Sequence, residues 1–348
     1  MTFRPANLMA ALGTVIGLTA MYGLLGARDG PSDWMGYQQL FDRQGGYLAE
    51  AGRDPLFVAL LKAAKVVFGG NGYEGFRLLL FVAMASFAAR LTYLCPTIRV
   101  SPITTALVGV AIWGIKSAVQ IREGVALVFV AWGVAHALRH PKSTPFALLA
   151  GCALGYLTHQ GTAPFLLAAI VGIGCLALPN RALSGWWPQR LLMVLAIGVG
   201  FAVAALCVLN ARAVELALVD MTEDRNAEAI IGPLKAVFWV AQGAVMLGLR
   251  WQLIEAVRGR SKLAFAFSSV LASFVLPSLY VATAGLVATR YYLPAATAFG
   301  GRLLFTAETV ALMIVALGGR GNWITLALAA ALVAEQVRLM IVTAGLGV

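Results

Sequence analysis

The chain has 348 residues, of which 60% are hydrophobic and only 12% charged, whereas about a quarter of the residues of an ordinary soluble domain are charged. This composition excludes a water-soluble fold and favours a single integral membrane domain over residues 1–348. The formal net charge of +11 does not predict a nucleic-acid partner, because the basic residues lie in short loops between apolar runs, where the positive-inside rule places them.

Apolar runs recur along the whole chain, and a helix needs roughly 20 mostly apolar residues to cross a bilayer. We therefore predict an all-α bundle of about eleven transmembrane helices. The first run is not followed by a cleavage site and a polar segment, so we interpret it as a retained span. The predicted spans are 6–25, 75–94, 102–119, 124–138, 145–158, 162–178, 191–209, 234–249, 263–287, 303–318 and 323–345.

The loops between these runs differ in charge. If the N-terminus is cytoplasmic, the inner loops contain one acid, Glu255, whereas the outer loops 27–54 and 210–233 contain ten of the fifteen acids. Because cytoplasmic loops are enriched in Lys and Arg, this asymmetry predicts a cytoplasmic N-terminus. The cations then on the inside are Arg4, Arg99, Arg139, Lys142, Arg181, Arg190, Arg250, Arg258, Arg260, Lys262 and Arg320.

Two segments depart from the pattern of regular spans. Segment 55–68 is apolar but short, and Lys62 and Lys65 interrupt it at helical spacing, which favours an interfacial or re-entrant helix beside the first outer loop. Segment 145–178 is split by the polar string THQGT. Since each half is short for a crossing, we predict a helix break at His159, within a cavity or near the outer surface.

The first outer loop combines carboxylates with aromatic side chains, including Asp33, Trp34, Tyr37 and Asp54. Carboxylate oxygens accept hydrogen bonds from sugar hydroxyls, and flat rings pack against the apolar faces of sugars. The combination favours a sugar site. The alternative is an acidic loop that only solvates the outer surface.

A second cluster lies at the predicted outer junction of two spans, in WGIKSAVQIREGVAL. The four-residue spacing of Lys116 and Gln120 predicts that they share a helix face. Arg122 could hold a pyrophosphate, because guanidinium binds phosphate through a planar fork of donors. The alternative is an arginine that anchors the helix at the membrane surface and pairs with Glu123.

His159, in LTHQG, is the third candidate, because a neutral imidazole can act as a base near neutral pH. The alternative is a histidine that only satisfies a helix end. The fourth cluster, in ATRYYLPAATAFGGRLLFTAE, contains Arg290, Tyr291, Tyr292 and Arg302. The two tyrosines also suit an interfacial aromatic belt.

Arg77 lies near the predicted outer end of its span, and Glu308 lies about two helical turns below Arg302. Arg77 could join the cations of the site, and Glu308 is either a site residue or the buried partner of an arginine. The four cysteines are scattered, without a CxxC pair or a His spacing that suits a metal, so neither a metal site nor a disulfide is predicted. All the clusters fall on the predicted outer side, which favours one outer active site.

At these residues the chain resembles the EpsG-like, Wzy-type polysaccharide polymerases, within the GT-C style of membrane glycosyltransferases. The resemblance rests on Asp33 with Tyr37, on Asp54 and Pro55 before LFVALL, on QIREGVAL and on LTHQG, and RYY at Arg290 extends it. QIREG is the most specific of these elements. The resemblance covers roughly the first half of the chain.

The resemblance implies that repeat units carried on undecaprenyl pyrophosphate are polymerised at the outer face of a cell inner membrane. It implies lipid-linked glycan, membrane lipids, a flippase and chain-length regulator proteins as partners. No cofactor or nucleotide sugar is expected, because the sequence lacks a Rossmann fingerprint and a P-loop.

The mechanism that we hypothesise has four principal residues. Arg122 and Arg290 hold the pyrophosphate, and Asp33 or His159 takes the proton of the attacking hydroxyl. The predicted substrate-binding residues are Tyr37, Asp54, Arg77, Lys116, Gln120, Glu123, Tyr291, Tyr292 and Arg302.

Three other functions stay open at this point. GRDPLFVALLKAAKVVFGG followed by Arg77 also resembles GT-C transferases that move one sugar from a polyprenyl phosphate. In a transporter, Glu308 and Glu335 would be pathway residues, although the sequence lacks duplicated halves with matching broken helices. A structural scaffold would leave the arginines at the outer junctions unexplained.

Overall fold

A computed structural model describes residues 4–26, 32–70, 72–95, 101–140, 145–176, 248–272 and 307–343. Throughout these ranges the chain forms helices joined by turns and short extended links. The helices are α1 (Pro5–Gly26), α2 (Ser32–Asp42), α3 (Gly46–Glu50), α4 (Pro55–Phe68), α5 (Tyr73–Leu94), α6 (Pro102–Ala118), α7 (Ile121–Arg139), α8 (Phe146–Thr158), a 3-10 turn (Gln160–Thr162), α9 (Ala163–Cys175), α10 (248–257), α11 (Lys262–Ala272), α12 (Ala307–Gly318) and α13 (Trp323–Thr343).

Within the described ranges, three helices are long and apolar enough to cross a membrane, namely α1, α5 and α7, and several shorter helices are apolar. These helices indicate a membrane-embedded, all-helical protein. The described helices overlap ten of the predicted spans, one of which, 234–249, is described only at its last two residues. The count of eleven stays a prediction, because the span 191–209, the outer loop 210–233 and most of the span 234–249 lie outside the described residues.

Small residues let the long helices approach closely. On α6, a Cβ added at Gly109 would lie 2.6 Å from Thr14 Oγ1 of α1. Between α7 and α8, a Cβ at Gly133 would lie 2.9 Å from the carbonyl oxygen of Ala147. Close approach through small residues is how helices associate in membranes, where apolar burial gives little driving force.

Buried polar contacts also join α13 to α6. Gln336, which is 1% exposed, donates from Nε2 to the carbonyl oxygen of Ala111 at 2.8 Å. Its Oε1 accepts the Ile115 N–H at 3.2 Å. These bonds hold α13 beside the C-terminal half of α6, the half that leads into the charged cluster described below.

Two predicted loops contain helices. The loop 27–54 contains α2 and α3, because Leu40, Phe41 and Leu48 are buried in one cluster with Phe57 of α4 and Phe76 of α5. The helix α4 has the predicted bounds, whereas its position at the membrane interface stays a prediction.

The inner loop predicted after residue 249 contains most of α10. Its residues Leu249, Leu253 and Val257 are buried at helical spacing, while Trp251 is 69% exposed. This segment is therefore an amphipathic helix, which the charges of Arg250 and Glu255 obscured in the sequence.

Two helix breaks and one helix start lie at the same end of the described bundle. The helix α6 ends at Ala118, and α7 begins three residues later at Ile121. The helix α8 ends at Thr158, and the extended residue His159 leads into the 3-10 turn and α9, which confirms the predicted break. Contacts of Asp54, at the start of α4, bring the three points together.

Candidate functional site

Asp54 lies at the centre of the cluster. It precedes Pro55 as the N-cap of α4, yet its side chain makes no capping hydrogen bond to that helix. The residue is only 3% exposed, and its backbone is left-handed, with φ 49° and ψ 52°. This conformation is costly for a residue other than glycine, and the carboxylate is used for contacts with other elements.

Each oxygen of Asp54 accepts a hydrogen bond from a distant part of the chain. Arg122 Nη1, on the first turn of α7, donates to Oδ2 at 2.7 Å. The backbone N–H of Gln160 donates to Oδ1 at 2.8 Å. Because the side chains of Asp54 and Arg122 are 4% and 20% exposed, this is a largely buried, charge-assisted pair.

His159 lies near the carboxylate oxygen that binds Arg122. Its Nδ1 is 3.9 Å from Asp54 Oδ2 and has no hydrogen-bond partner among the described residues. The backbone around it is fixed, because the His159 N–H donates to Gly155 O at 2.8 Å and Thr162 Oγ1 donates to His159 O at 2.8 Å. A Cβ at Gly161 would lie 2.6 Å from His159 Nε2, so the ring lies close against this glycine.

These neighbours set the charge of Asp54. Burial alone would raise its pKa, but His159, the Arg122 guanidinium and the Gln160 N–H all stabilise the carboxylate, and the net effect is a lowered pKa. Asp54 is therefore ionised at neutral pH. It balances the charge of Arg122 inside the protein.

A second ion pair lies beside the first. Lys116, which is 0% exposed, lies 3.0 Å from Glu123 Oε1 and donates to Thr309 Oγ1 of α12 at 3.2 Å. The fully buried Glu308 is next to Thr309, and its carboxylate interacts with the charge of Lys116. The described cation near Glu308 is thus a lysine rather than the predicted arginine.

Arg77 supports the break between α6 and α7. The residue is 2% exposed, and its Nη2 donates to the carbonyl oxygen of Ala118, the last residue of α6, at 3.1 Å. Its guanidinium also lies over the Tyr22 ring, 5.0 Å from the centroid. Arg77 and Lys116 are both enclosed by protein in this structure, and contact of either with substrate stays a prediction.

Two details of the second predicted cluster are wrong. Lys116 and Gln120 do not share a helix face, because α6 ends at Ala118 and Gln120 is the N-cap of α7. Arg122 does not pair with Glu123, its neighbour in sequence. It pairs with Asp54, and Glu123 pairs with Lys116.

The other candidates differ in how far they are described. Tyr37 of α2 packs its ring edge against Phe57, with centroids 6.0 Å apart, and it interacts electrostatically with Arg122. Gln120 has a buried Oε1 without a hydrogen-bond partner in the described part of the chain. Asp33 belongs to α2, but its side chain lies outside the described residues. The fourth cluster also lies outside them, with Arg290, Tyr291, Tyr292 and Arg302.

Two contributors to the cluster were not predicted from the sequence. The peptide N–H of Gln160 binds Asp54, and a backbone donor has no residue-type signal. Tyr47 of α3 also interacts with Arg122, and no neighbouring motif distinguished it from the other tyrosines of the loop. The Pro55 that follows Asp54 was the available signal for the helix start.

Among the described residues, no group of three or more His, Cys, Asp or Glu side chains could hold a metal ion. The chemical groups of the cluster are the guanidinium of Arg122, the ionised carboxylate of Asp54 and the imidazole of His159. A guanidinium can bind an anionic group, and an imidazole can accept a proton.

The fold and this cluster define a membrane-embedded helical protein with a charged site at one end of its bundle. No protein-family model, curated protein or solved structure matches the chain.

Proposed function

We propose that the protein is a glycosyltransferase that polymerises polyprenyl-pyrophosphate-linked repeat units at the outer face of a cell inner membrane. The observation that supports this most is the meeting of three segments through which the chain resembles the Wzy-type polymerases. Asp54 binds Arg122 of QIREG, 68 residues away, and the N–H of Gln160 of LTHQG, 106 residues away. Segments that act on one substrate must meet in this way.

The reaction needs two kinds of group. An acceptor hydroxyl attacks the anomeric carbon, and the bond from that carbon to the pyrophosphate oxygen breaks. A cation must stabilise the charge that develops on the pyrophosphate, and a base must take the hydroxyl proton. In the proposed mechanism, Arg122 and Arg290 stabilise the pyrophosphate, and His159 or Asp33 is the base.

The state of Arg122 suits this role. Its Nη1 is held by Asp54, whereas its Nε is buried without a hydrogen-bond partner among the described residues. A buried donor without a partner costs roughly 1–3 kcal/mol. Because the side chain as a whole is 20% exposed, a small rotation would bring this donor to an anionic oxygen of the substrate.

The glycan experiment described below also tests two other candidate functions. A GT-C enzyme that adds one sugar from a polyprenyl phosphate would use the same cations and base, and its product differs by one sugar. A transporter is favoured by a different observation, the buried cluster of Lys116, Glu123 and Glu308, because ionisable groups within a membrane bundle often lie on a transport pathway.

The test is to delete the gene in its host and compare extracted surface and lipid-linked glycans. We expect polymer to disappear and a single lipid-linked repeat to accumulate. Wild type and Arg53→Ala should restore the polymer, and Arg122→Ala should not. Arg53 is the matched control, because it is exposed and adjacent to Asp54.

The other outcomes also decide between functions. A polymer of full length that lacks one sugar would favour the single-sugar transferase. Unchanged glycan in the deletion strain would overturn the proposal and favour transport. Each strain is compared at equal protein level in the membrane fraction, so that loss of folding is not counted as loss of activity.

A further inference from the structure

We infer that Asp54 is a positioning residue that fixes His159 in the tautomer in which Nε2 is the base. This inference rests on the proposed glycosyl transfer for its function, but its structural content can be measured on the protein alone. It also separates His159 from Asp33 as the general base.

The geometry around the ring carries the inference. Nδ1 faces Asp54 Oδ2 at 3.9 Å, and no other described group accepts from it. That distance exceeds a hydrogen bond by roughly 1 Å, a gap that a small side-chain rotation closes. The peptide after His159 is held by the same carboxylate, because the Gln160 N–H donates to Asp54 Oδ1 at 2.8 Å. Asp54 thus holds the backbone that carries the ring, and in the inferred arrangement its second oxygen holds the ring as well.

The carboxylate also decides which ring nitrogen carries the proton. An ionised aspartate can only accept hydrogen bonds, and the lowered pKa of Asp54 keeps it ionised. The neutral His159 ring next to it is therefore protonated on Nδ1, and the lone pair lies on Nε2. The His159 side chain is 23% exposed, so the ring is not closed off from an incoming hydroxyl.

The proton and the bonds balance in the resulting step. The acceptor hydroxyl gives its proton to His159 Nε2, and its oxygen forms the bond to the anomeric carbon. The bond from that carbon to the pyrophosphate oxygen breaks, and the pyrophosphate leaves with the electron pair. The imidazolium that forms is stabilised by the Asp54 carboxylate, which stays ionised.

The substitution Asp54→Ala makes a sharp prediction about the tautomer. It removes the acceptor that faces His159 Nδ1, whereas the Arg122 guanidinium, which binds the same carboxylate oxygen, can only donate. A ring with its lone pair on Nδ1 and its proton on Nε2 is then favoured, which is the wrong tautomer for the base.

The test is two-bond nitrogen–proton NMR on detergent-solubilised full-length protein with 15N-labelled histidine. The chain has three histidines, and a His136→Gln, His140→Gln background leaves only His159 visible. At about pH 8.5, above the ordinary histidine pKa of ~6.5, we expect the Nδ1–H tautomer in this background. Addition of Asp54→Ala should invert it to Nε2–H, whereas Asp42→Ala, the control in the same region, should leave it unchanged.

A predominant Nε2–H tautomer with Asp54 intact would overturn the inference, and this measurement does not depend on whether any Asp54 variant folds. A tautomer that stays the same in folded Asp54→Ala would also overturn it. The glycan assay decides the proposed function separately. If His159→Gln abolishes polymer but Asp54→Ala leaves the tautomer unchanged, Asp54 does not position the ring and the polymerase stands. If the tautomer inverts but His159→Gln supports normal polymer, Asp54 positions the ring and His159 is not the base.

Discussion

Arg122 and Glu123 are adjacent in sequence, and each forms an ion pair with a different helix segment. Arg122 donates to Asp54 at 2.7 Å, whereas Glu123 lies 3.0 Å from Lys116. The first turn of α7 is therefore held both to the start of α4 and to the end of α6. The residue proposed to bind the pyrophosphate is fixed by its own pair and by that of its neighbour.

The Lys116 pair should contribute strongly to stability. Lys116→Met leaves the half-buried Glu123 and the buried Glu308 without this cation, and breaking a buried pair on one side costs about 3–5 kcal/mol. We expect a large loss in the free energy of unfolding, measured by SDS titration in mixed micelles. Lys62→Met is the control, because Lys62 is exposed on α4, and it should change stability by less than about 0.5 kcal/mol. Equal effects of the two substitutions would contradict the structure.

Asp54 and Arg122 should be energetically coupled. Each single substitution, Asp54→Asn or Arg122→Gln, leaves the other partner buried without its pair, and the double variant removes both charges. We therefore expect the loss in free energy of unfolding of the double variant to be smaller than the summed losses of the two single variants, by about 1–3 kcal/mol. The same SDS titration, applied to wild type, both single variants and the double variant, measures this double-mutant cycle. Additive losses would mean that the 2.7 Å bond does not form.

The contribution of Asp54 to the stability of the folded protein should depend on pH. Its pKa is lower in the folded protein than its ordinary value, which is about 3.9. Its stabilising effect is therefore complete above that value and is lost as pH falls through the folded pKa. The difference in thermal unfolding temperature between wild type and Asp54→Asn should be largest above about pH 4 and shrink below it. A difference in unfolding temperature that grows on acidification would contradict the lowered pKa of Asp54 in the folded protein.

Gly161 should be required for the position of His159. An alanine Cβ there would lie 2.6 Å from His159 Nε2, so the ring must move, and misplacing a catalytic group by about 1 Å can cost about 100-fold in rate. We expect Gly161→Ala to reduce polymer formation by roughly 10- to 100-fold without loss of protein. The matched control is Gly174→Ala, because nothing lies within 4 Å of the added Cβ. Normal polymer from Gly161→Ala would contradict the proposed role of the ring.

The predicted orientation can be tested with single cysteines in a cysteine-free background. Arg53 lies beside the site, and His140 lies after the opposite end of α7, and both are exposed. A membrane-impermeant maleimide added to spheroplasts, whose inner membrane is intact, should label Arg53→Cys. It should label His140→Cys only after the membrane is opened. The reverse pattern would place the site in the cytoplasm.

Much of the helical framework could be predicted because apolar runs and breakers are local signals. Pro55 and Pro102 mark helix starts, and the polar string around His159 marks a break, and all three are found where expected. The helix α10 was not predicted because only one of its faces carries buried apolar residues. The charges of Arg250 and Glu255 on the remaining surface made the segment resemble a loop.

The partners within the site could not be predicted in the same way. Residue type and spacing made Arg122 a candidate, but the choice of Asp54 over the adjacent Glu123 depends on how α4 lies against α7. Burial of Lys116 depends on α12, which contributes Thr309 from 193 residues away. Contacts over such separations are properties of packing, and a single sequence does not specify them locally.

The most direct test of the central claim is a reconstituted reaction. The lipid-linked repeat that accumulates in the deletion strain is purified and incubated with wild-type protein in liposomes, without nucleotide sugar. We predict a ladder of glycans with wild type and with Arg53→Ala, and unchanged repeat with Arg122→Ala. A repeat that wild-type protein leaves unchanged, or an Arg122→Ala ladder equal to that of wild type, would contradict the account.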